Sequence, residues 1–296
     1  MTMIQQWRQD IITLHYVYPL SFQKLQRLMM ECAGKSHLVD CSIQKLSLLL
    51  NVPENKARMI QHQFLQFRTL PLTDQMEKER FHIIVYGDED YPKMLYPLYD
   101  PPVILYVLGE PSFLQKNMIA IIGARDATNY SEQIMDVIIP PLVANDLLIV
   151  SGMAKGADTL AHQQTIKHGG QTVAVLGSGF WHIYPKENEA LFWTLQKSHC
   201  IVTEYPPYMP PNKWHFPMRN RIISGLAQAL VVTEAKERSG TLITTTLALE
   251  QGKDVFVVPG SIFSPTSTGT NQLLKEGAIP IWNGEQIVEE MKLIFM

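Results

Sequence analysis

Residues 213–221 read Lys-Trp-His-Phe-Pro-Met-Arg-Asn-Arg, so three cations and two aromatic rings fall within nine positions. A groove that holds a flexible phosphate chain needs cations for the backbone and flat rings for the bases. Lys213, Arg219 and Arg221 offer the first, Phe216 and Trp214 offer the second, and Asn220 stands between the arginines. That combination points to single-stranded nucleic acid. The same stretch would also accommodate one arginine paired with Glu204 or Glu234, with Phe216 in a core. A helix after Pro217 would put Met218 and Ile222 on one face and both arginines elsewhere.

Other residues suited to an anion lie in short turns after apolar runs. Gly123-Ala124-Arg125 pairs a glycine that permits close backbone approach with a forked donor, although Arg125 could equally be solvated beside a tight turn. Ser151 and Gly152 open the segment Ser151–His162, and Lys155 follows them. That segment lacks the closing Gly-Lys-Ser/Thr order of a P-loop. Asp158 there reads as a helix-start acid, with His162 on the same helical face. Gly177-Ser178-Gly179 is a poor dinucleotide fingerprint, because His182 occupies its third glycine position and Pro185 breaks the helix that should follow. Trp181, Tyr184 and Lys186 then stand beside this turn as ligand contacts, or as partly buried rings with a solvated lysine. Ser239-Gly240-Thr241 reads as a helix N-cap whose free amides form an anion nest. No activated nucleophile and no metal-spaced cluster occurs, so neither catalysis, a cofactor nor a metal is expected.

The elements that must position these turns follow from periodicity. Up to about residue 70, apolar positions recur at spacings of three and four: Trp7, Ile11, Ile12 and Leu14; Leu25, Leu28 and Met29; Leu46, Leu48 and Leu49; Ala57, Ile60 and Phe64. Ser21 and Ser42 sit where N-caps belong, and Pro53 can open a further helix. The reading is a helical domain over 1–72, a polar linker over 73–82, and a second domain over 83–296. In the second domain nine short β-branched runs occur, most of them 20 to 30 residues apart. They are Ile83–Tyr86, Val103–Val107, Met118–Ile122, Leu147–Val150, Thr172–Leu176, Cys200–Thr203, Leu230–Thr233, Val255–Val258 and Ala278–Trp282. Strands apolar on both faces belong to a parallel sheet covered by helices. An α/β doubly wound, mainly parallel sheet is expected, with one or two extra strands at its N-terminal edge. Ligands of such sheets bind beyond the carboxyl ends of the strands, where the turns named above must lie. Pro140-Pro141 should kink or split one crossover helix.

Composition sets limits without deciding function. The chain has 296 residues, 46% of them apolar, and a net charge of −3, so any phosphate site must be a local basic patch. Cys32, Cys41 and Cys200 are few and lack metal-ligand spacing, which fits a reducing compartment. Charge within the first ten residues and the lack of an 18-residue apolar run give the expectation of a cytoplasmic protein with no membrane partner.

With these residues in place, the chain resembles the DprA/Smf family of bacterial DNA-processing proteins. The shared pattern runs in order through Tyr91-Pro92, Asp100-Pro101-Pro102, Gly123-Ala124-Arg125, Ser151–Asp158 and Ala161-His162. It continues through Ala174–Gly179, Tyr184-Pro185, Glu204-Tyr205-Pro206, Phe216-Pro217 with Arg219-Asn220-Arg221, and Ser239–Thr244. Val258-Pro259-Gly260 and Gly269–Leu273 close it. The resemblance implies an extended Rossmann domain that binds single-stranded DNA, dimerises, and helps load the RecA recombinase during natural transformation. It implies ligand roles for Arg125, Lys186, Lys213, Phe216, Arg219 and Arg221, phosphate-facing roles for the Gly loops, and a sterile-alpha-motif-like (SAM-like) N-terminal domain. Some relatives add a C-terminal winged helix, which is not expected here because the sequence ends at Met296. Many relatives carry Thr or Ser where Ala124 stands, so one hydroxyl contact is missing. The alternative is a nucleotide-cleaving Rossmann enzyme of the phosphoribohydrolase (lysine-decarboxylase-like) group, whose motif is Pro-Gly-Gly-x-Gly-Thr-x-x-Glu. Here Thr244 stands where that glutamate belongs.

Overall fold

The computed structural model describes residues 3–32, 40–70, 72 and 80–294. Four helices come first: α1 (Met3–Val17), α2 (Phe22–Cys32), α3 (Ile43–Leu50) and α4 (Glu54–Arg68). The spacing of their apolar residues explains them, since Ile11, Ile12, Leu25, Leu28, Leu46, Ala57, Ile60 and Phe64 are all buried. Met29 and Leu48, expected on the packed faces, are exposed instead. The Ser42 hydroxyl caps α3 by accepting from the Lys45 amide at 3.2 Å. The expected linker over 73–82 lies outside the described residues at 73–79.

Nine strands follow: β1 (His82–Val85), β2 (Ile104–Gly109), β3 (Met118–Ile122), β4 (Leu148–Ser151), β5 (Thr172–Val175), β6 (Cys200–Thr203), β7 (Ala229–Val232), β8 (Asp254–Val257) and β9 (Ile279–Pro280). They form one sheet in the order β1-β2-β6-β5-β4-β3-β7-β8-β9. The β1–β2 and β2–β6 pairs are antiparallel and all the others parallel. The crossovers carry α5 (Asn129–Ala144), α6 (Ala157–Lys167), α7 (Glu189–Ser198), α8 (His215–Leu226), α9 (Gly240–Glu250) and α10 (Thr268–Lys275), and α11 (Glu285–Ile294) comes last.

Side-chain alternation divides the strands between two buried faces. Ile119 and Ile121 pack with Met135, Ile138 and Leu142 of α5 and with Ala157 and Ala161 of α6. Met118, Ala120 and Ile122 pack on the other face with Ile222, Ile223 and Leu226 of α8. A third cluster joins the N-terminal helices to Ile104, Tyr106 and Ile201 of the sheet and to Leu191 and Phe192 of α7. Polar ties reinforce that junction. The Arg8 guanidinium donates to Asp88 and to the Ile83 carbonyl, Phe22 N–H donates to Asp100, and Tyr208 O–H donates to the Tyr16 carbonyl.

The expected splitting at Pro140-Pro141 does not occur, because α5 runs unbroken over both prolines. The two missing amides leave the Asp136 and Val137 carbonyls without helical partners. Those residues lie on the half-buried and exposed side of the helix, where water can serve them.

Candidate nucleic-acid interface

Sheet order decides where a site can form. From β3 the chain winds outward through β4, β5 and β6, then returns to place β7 on the other side of β3. The loops after β3 and β7 therefore leave in opposite directions, and a crevice opens between them. It has a volume of about 360 Å³ and is lined by Arg125 and Asp126 after β3, Asp158, Phe216 of α8, and Lys236 and Thr241 after β7. A small adjoining recess of about 90 Å³ shares Arg125, Ala154, Phe216 and Arg219 with it and adds Lys155, Gly177 and Tyr184. The two make one cleft.

Two glycines permit this convergence. Gly156 has φ +77°, and a Cβ there would collide with the carbonyl oxygens of Ala124 and Arg125. The loops that carry Arg125 and Lys155 thus touch through backbone, and the Ala157 amide donates to the Ala124 carbonyl at 3.0 Å. At Gly152 a Cβ would occupy the space of the Arg219 guanidinium and the Asp158 carboxylate. A buried knot fixes the far wall. Glu234, 1% exposed, accepts from the Thr128 amide at 2.7 Å and from the hydroxyls of Thr128, Ser131 and Thr266. One carboxylate thereby holds loops that are widely separated in sequence.

Charge around the cleft is unevenly satisfied. Arg125 is exposed and has no ion-pair partner among the described residues. Lys236 pairs with Asp126, and Lys155 with Glu187, each pair largely open to solvent, where such contacts are weak and exchangeable. The Phe216 ring lies over Gly177, with its centroid 5.6 Å from that of Tyr184. Helix α9 starts at Gly240 without a side-chain cap, and the buried Ser239 Oγ beside it has no hydrogen-bond partner. The first amides of that helix are left for an anion. Thr241 donates its hydroxyl to the Gly123 carbonyl at 3.0 Å, tying α9 to the loop after β3.

The expected site residues fall into three groups. Gly123, Arg125, Gly152, Lys155, Gly177, Phe216, Ser239, Gly240 and Thr241 line the cleft or shape the loops that form it. Lys186 and Lys213 are exposed outside its lining, with Lys213 Nζ 5.9 Å from the Trp214 ring centroid. Asn220 also lines the cleft, whereas Ser151, Arg219 and Arg221 require correction. Strand β4 runs one residue beyond its apolar run and takes in Ser151, whose hydroxyl donates to the Ile121 carbonyl at 2.6 Å inside the sheet. Arg221 is 9% exposed; its Nη2 is 2.6 Å from Glu204 and 3.8 Å from Asp100, away from the cleft. Burial pushes the Glu204 carboxyl up, against the pull of Arg221. Arg219 borders the cleft but is 5% exposed. It donates to the Val175 carbonyl at 2.6 Å and to the Asn220 side chain at 3.1 Å. Its Nη2 is 3.9 Å from Asp158, whose carboxyl burial also pushes up. The expected helical face is overturned too, since Met218 is exposed and Ile222 buried. Helix α8 lies flat on the sheet, so Arg219 and Arg221 are drawn into the interior beside Ile222.

Reading the sequence missed Lys236 as a cleft residue and the Arg219–Asp158 pair. A cation just after β7, mirroring Arg125 just after β3, was the available signal for Lys236. His162 is fully buried between the Gly152 carbonyl and Thr172 Oγ1, each 2.7 Å away, with its pKa lowered to about 4 by burial. No cluster of His, Cys, Asp or Glu suited to a metal occurs among the described residues.

Residues 82–292 match the family described as DNA recombination-mediator protein A. The chain belongs to the DprA/Smf family. It is 41% identical over 239 residues to DNA processing protein DprA of Bacillus subtilis, covering 80% of each chain. The X-ray structure of DprA from Streptococcus pneumoniae superposes with a TM-score of 0.83 at 33% identity, covering 95% of this chain and 97% of that one. DNA processing protein A from Helicobacter pylori, described for its single-stranded DNA binding mode, superposes with a TM-score of 0.65 at 30% identity, covering 72% of this chain and 95% of that one. The family match begins with the first residue of β1, so the sheet and its strand-end loops are the family's shared part.

Proposed function

We propose that the chain is a DNA-processing protein that binds single-stranded DNA in the cleft between the loops after β3 and β7. Arg125 carries this reading. It is an exposed guanidinium with no ion pair among the described residues, sharing the recess with a half-buried phenylalanine beside glycine loops. A nucleic-acid strand satisfies both sides of that cleft, with phosphates at Arg125, Lys155 and the α9 amides and a base against Phe216 and Tyr184. The Helicobacter pylori relative, whose structure is described for single-stranded DNA binding, supports the choice of ligand. Lys186 and Lys213 would extend the path beyond the cleft. We place the activity in recombination, with the chain acting in the cytoplasm as a homodimer that protects incoming DNA and loads a RecA recombinase during natural transformation. On this reading the chain is not an enzyme. Thr244 lines the cleft where a nucleotide-cleaving relative would carry glutamate.

Fluorescent oligo-dT titrated at increasing salt tests the proposal. Affinity should fall steeply, because each neutralised phosphate releases a counterion. Arg125→Glu and Lys213→Glu should weaken binding across all sequences, and Phe216→Ala should cost about 1–3 kcal/mol of stacking. Salt-independent binding, a preference for duplex, or unchanged affinity in all three variants would refute it. Turnover of nucleoside monophosphates in a parallel assay would favour the enzyme instead.

A further inference from the structure

A larger cavity lies at the opposite rim of the sheet. It has a volume of about 820 Å³ and sits between the start of β1, the end of β2 and the last turn of α7. Because β2 runs antiparallel to β6 and pairs Gly109 with Cys200, the end of β2 lies at the amino ends of the parallel strands, away from the cleft. The volume is in the range of small-molecule sites.

Its walls combine rings with unpaired cations. Phe81 and Phe113 are buried there, and Trp193 on α7 is about half exposed. Arg80 and Lys197 are exposed lining residues with no ion-pair partner among the described residues. Glu110 is the single carboxylate among the lining residues, and it accepts from the Ser112 amide at 3.2 Å. His199 is 8% exposed, and its Nδ1 is buried with no hydrogen-bond partner. Burial lowers the pKa of this ring, so it is neutral at pH 7. An orphaned N–H costs more than an orphaned lone pair, so the proton belongs on Nε2, where the ring can donate to an occupant.

We propose that this cavity is a second ligand site, for a nucleotide, with its base against Trp193, its phosphates at Arg80 and Lys197, and an oxygen accepting from His199 Nε2. A free nucleotide and a nucleotide unit of a strand present the same chemistry. The proposal does not rest on the cleft, and its test is run with the cleft disabled.

Calorimetric titration of thymidine 5′-diphosphate into the full-length Arg125→Glu chain should still show binding. Adding Trp193→Ala or Lys197→Glu to that chain should each weaken it roughly tenfold, as loss of one stacked base or one phosphate contact requires. Lys197 is exposed and its variant should keep the melting temperature, while Trp193→Ala loses an edge contact with Phe192 and should lower it only slightly, so a folding defect would be recognised. Oligo-dT binding in the same chains separates the two sources. A strand unit is the occupant if Trp193→Ala lowers it, and a free nucleotide if it does not. Absence of thymidine diphosphate binding in the Arg125→Glu chain overturns the site. So does pyrophosphate binding equally well, or a hexaglutamate peptide binding where the nucleotide does not.

Discussion

Arg125 and Arg221 are the same residue type in the same protein, yet their surroundings assign them opposite work. Arg221 is held between Glu204 and Asp100 with two of its nitrogens, Nε and Nη1, buried and unpartnered. Removing one member of a buried pair strands the other charge, which costs about 3–5 kcal/mol. Arg125 is exposed at the cleft, with no ion pair among the described residues. Its longer-range pull on the buried Asp158 carboxyl is offset by its repulsion of Arg219, and surface changes of that kind stay within about 0.5 kcal/mol. Arg221→Ala should therefore lower stability in urea by several kcal/mol, whereas Arg125→Ala should leave the urea midpoint in place and weaken oligo-dT binding. Equal urea midpoints for the two variants would show that Arg221 is not the structural arginine its contacts indicate.

At the scale of elements, the site depends on two loops pressed together. Gly156 takes a backbone conformation that L side chains resist, and its Cα faces the carbonyls of Ala124 and Arg125. Gly156→Ala should cost roughly 1–3 kcal/mol through backbone strain alone. It should also separate the Arg125 loop from the start of α6, so oligo-dT affinity should fall even under conditions where the variant is fully folded. Intact affinity in the folded variant would mean that the contact between the loops does not set the cleft. The same scale explains α5. Its two prolines sit near its C-terminal end on the wetter side, so the helix loses two hydrogen bonds without being divided.

At the scale of the whole molecule, His15 joins the N-terminal helices to the sheet. The Leu20 amide donates to its Nδ1 at 3.2 Å, so the ring's proton sits on Nε2 and is donated to the Glu204 carbonyl at 2.9 Å. Burial lowers its pKa from 6.5 to about 4, and His162 behaves alike. Between those values the unfolded chain binds more protons than the folded one, so stability is full above pH 6.5 and is lost as pH falls toward 4. The loss amounts to about 3 kcal/mol for each ring. His15→Gln, less stable at pH 7, should show a shallower decline in urea stability over that window. An unchanged slope would show that this ring does not titrate with folding.

Much of this was legible in the chain. Nine apolar β-branched runs became nine strands, because a strand buried on both faces must be apolar throughout. Glycines and cations just after those runs became the cleft, because parallel strands bring all their carboxyl ends to one rim. The sequence by itself therefore determined the fold class, the rim and the residue types around it. What only the tertiary structure decided is which cations reach the ligand side. Lys213, Arg219 and Arg221 look equivalent in a nine-residue stretch, but α8 lies against the sheet and draws both arginines inward toward Asp158 and Glu204. Glu204 could be named as a partner from the sequence, but only folding decides which arginine it takes and brings Asp158 to the other.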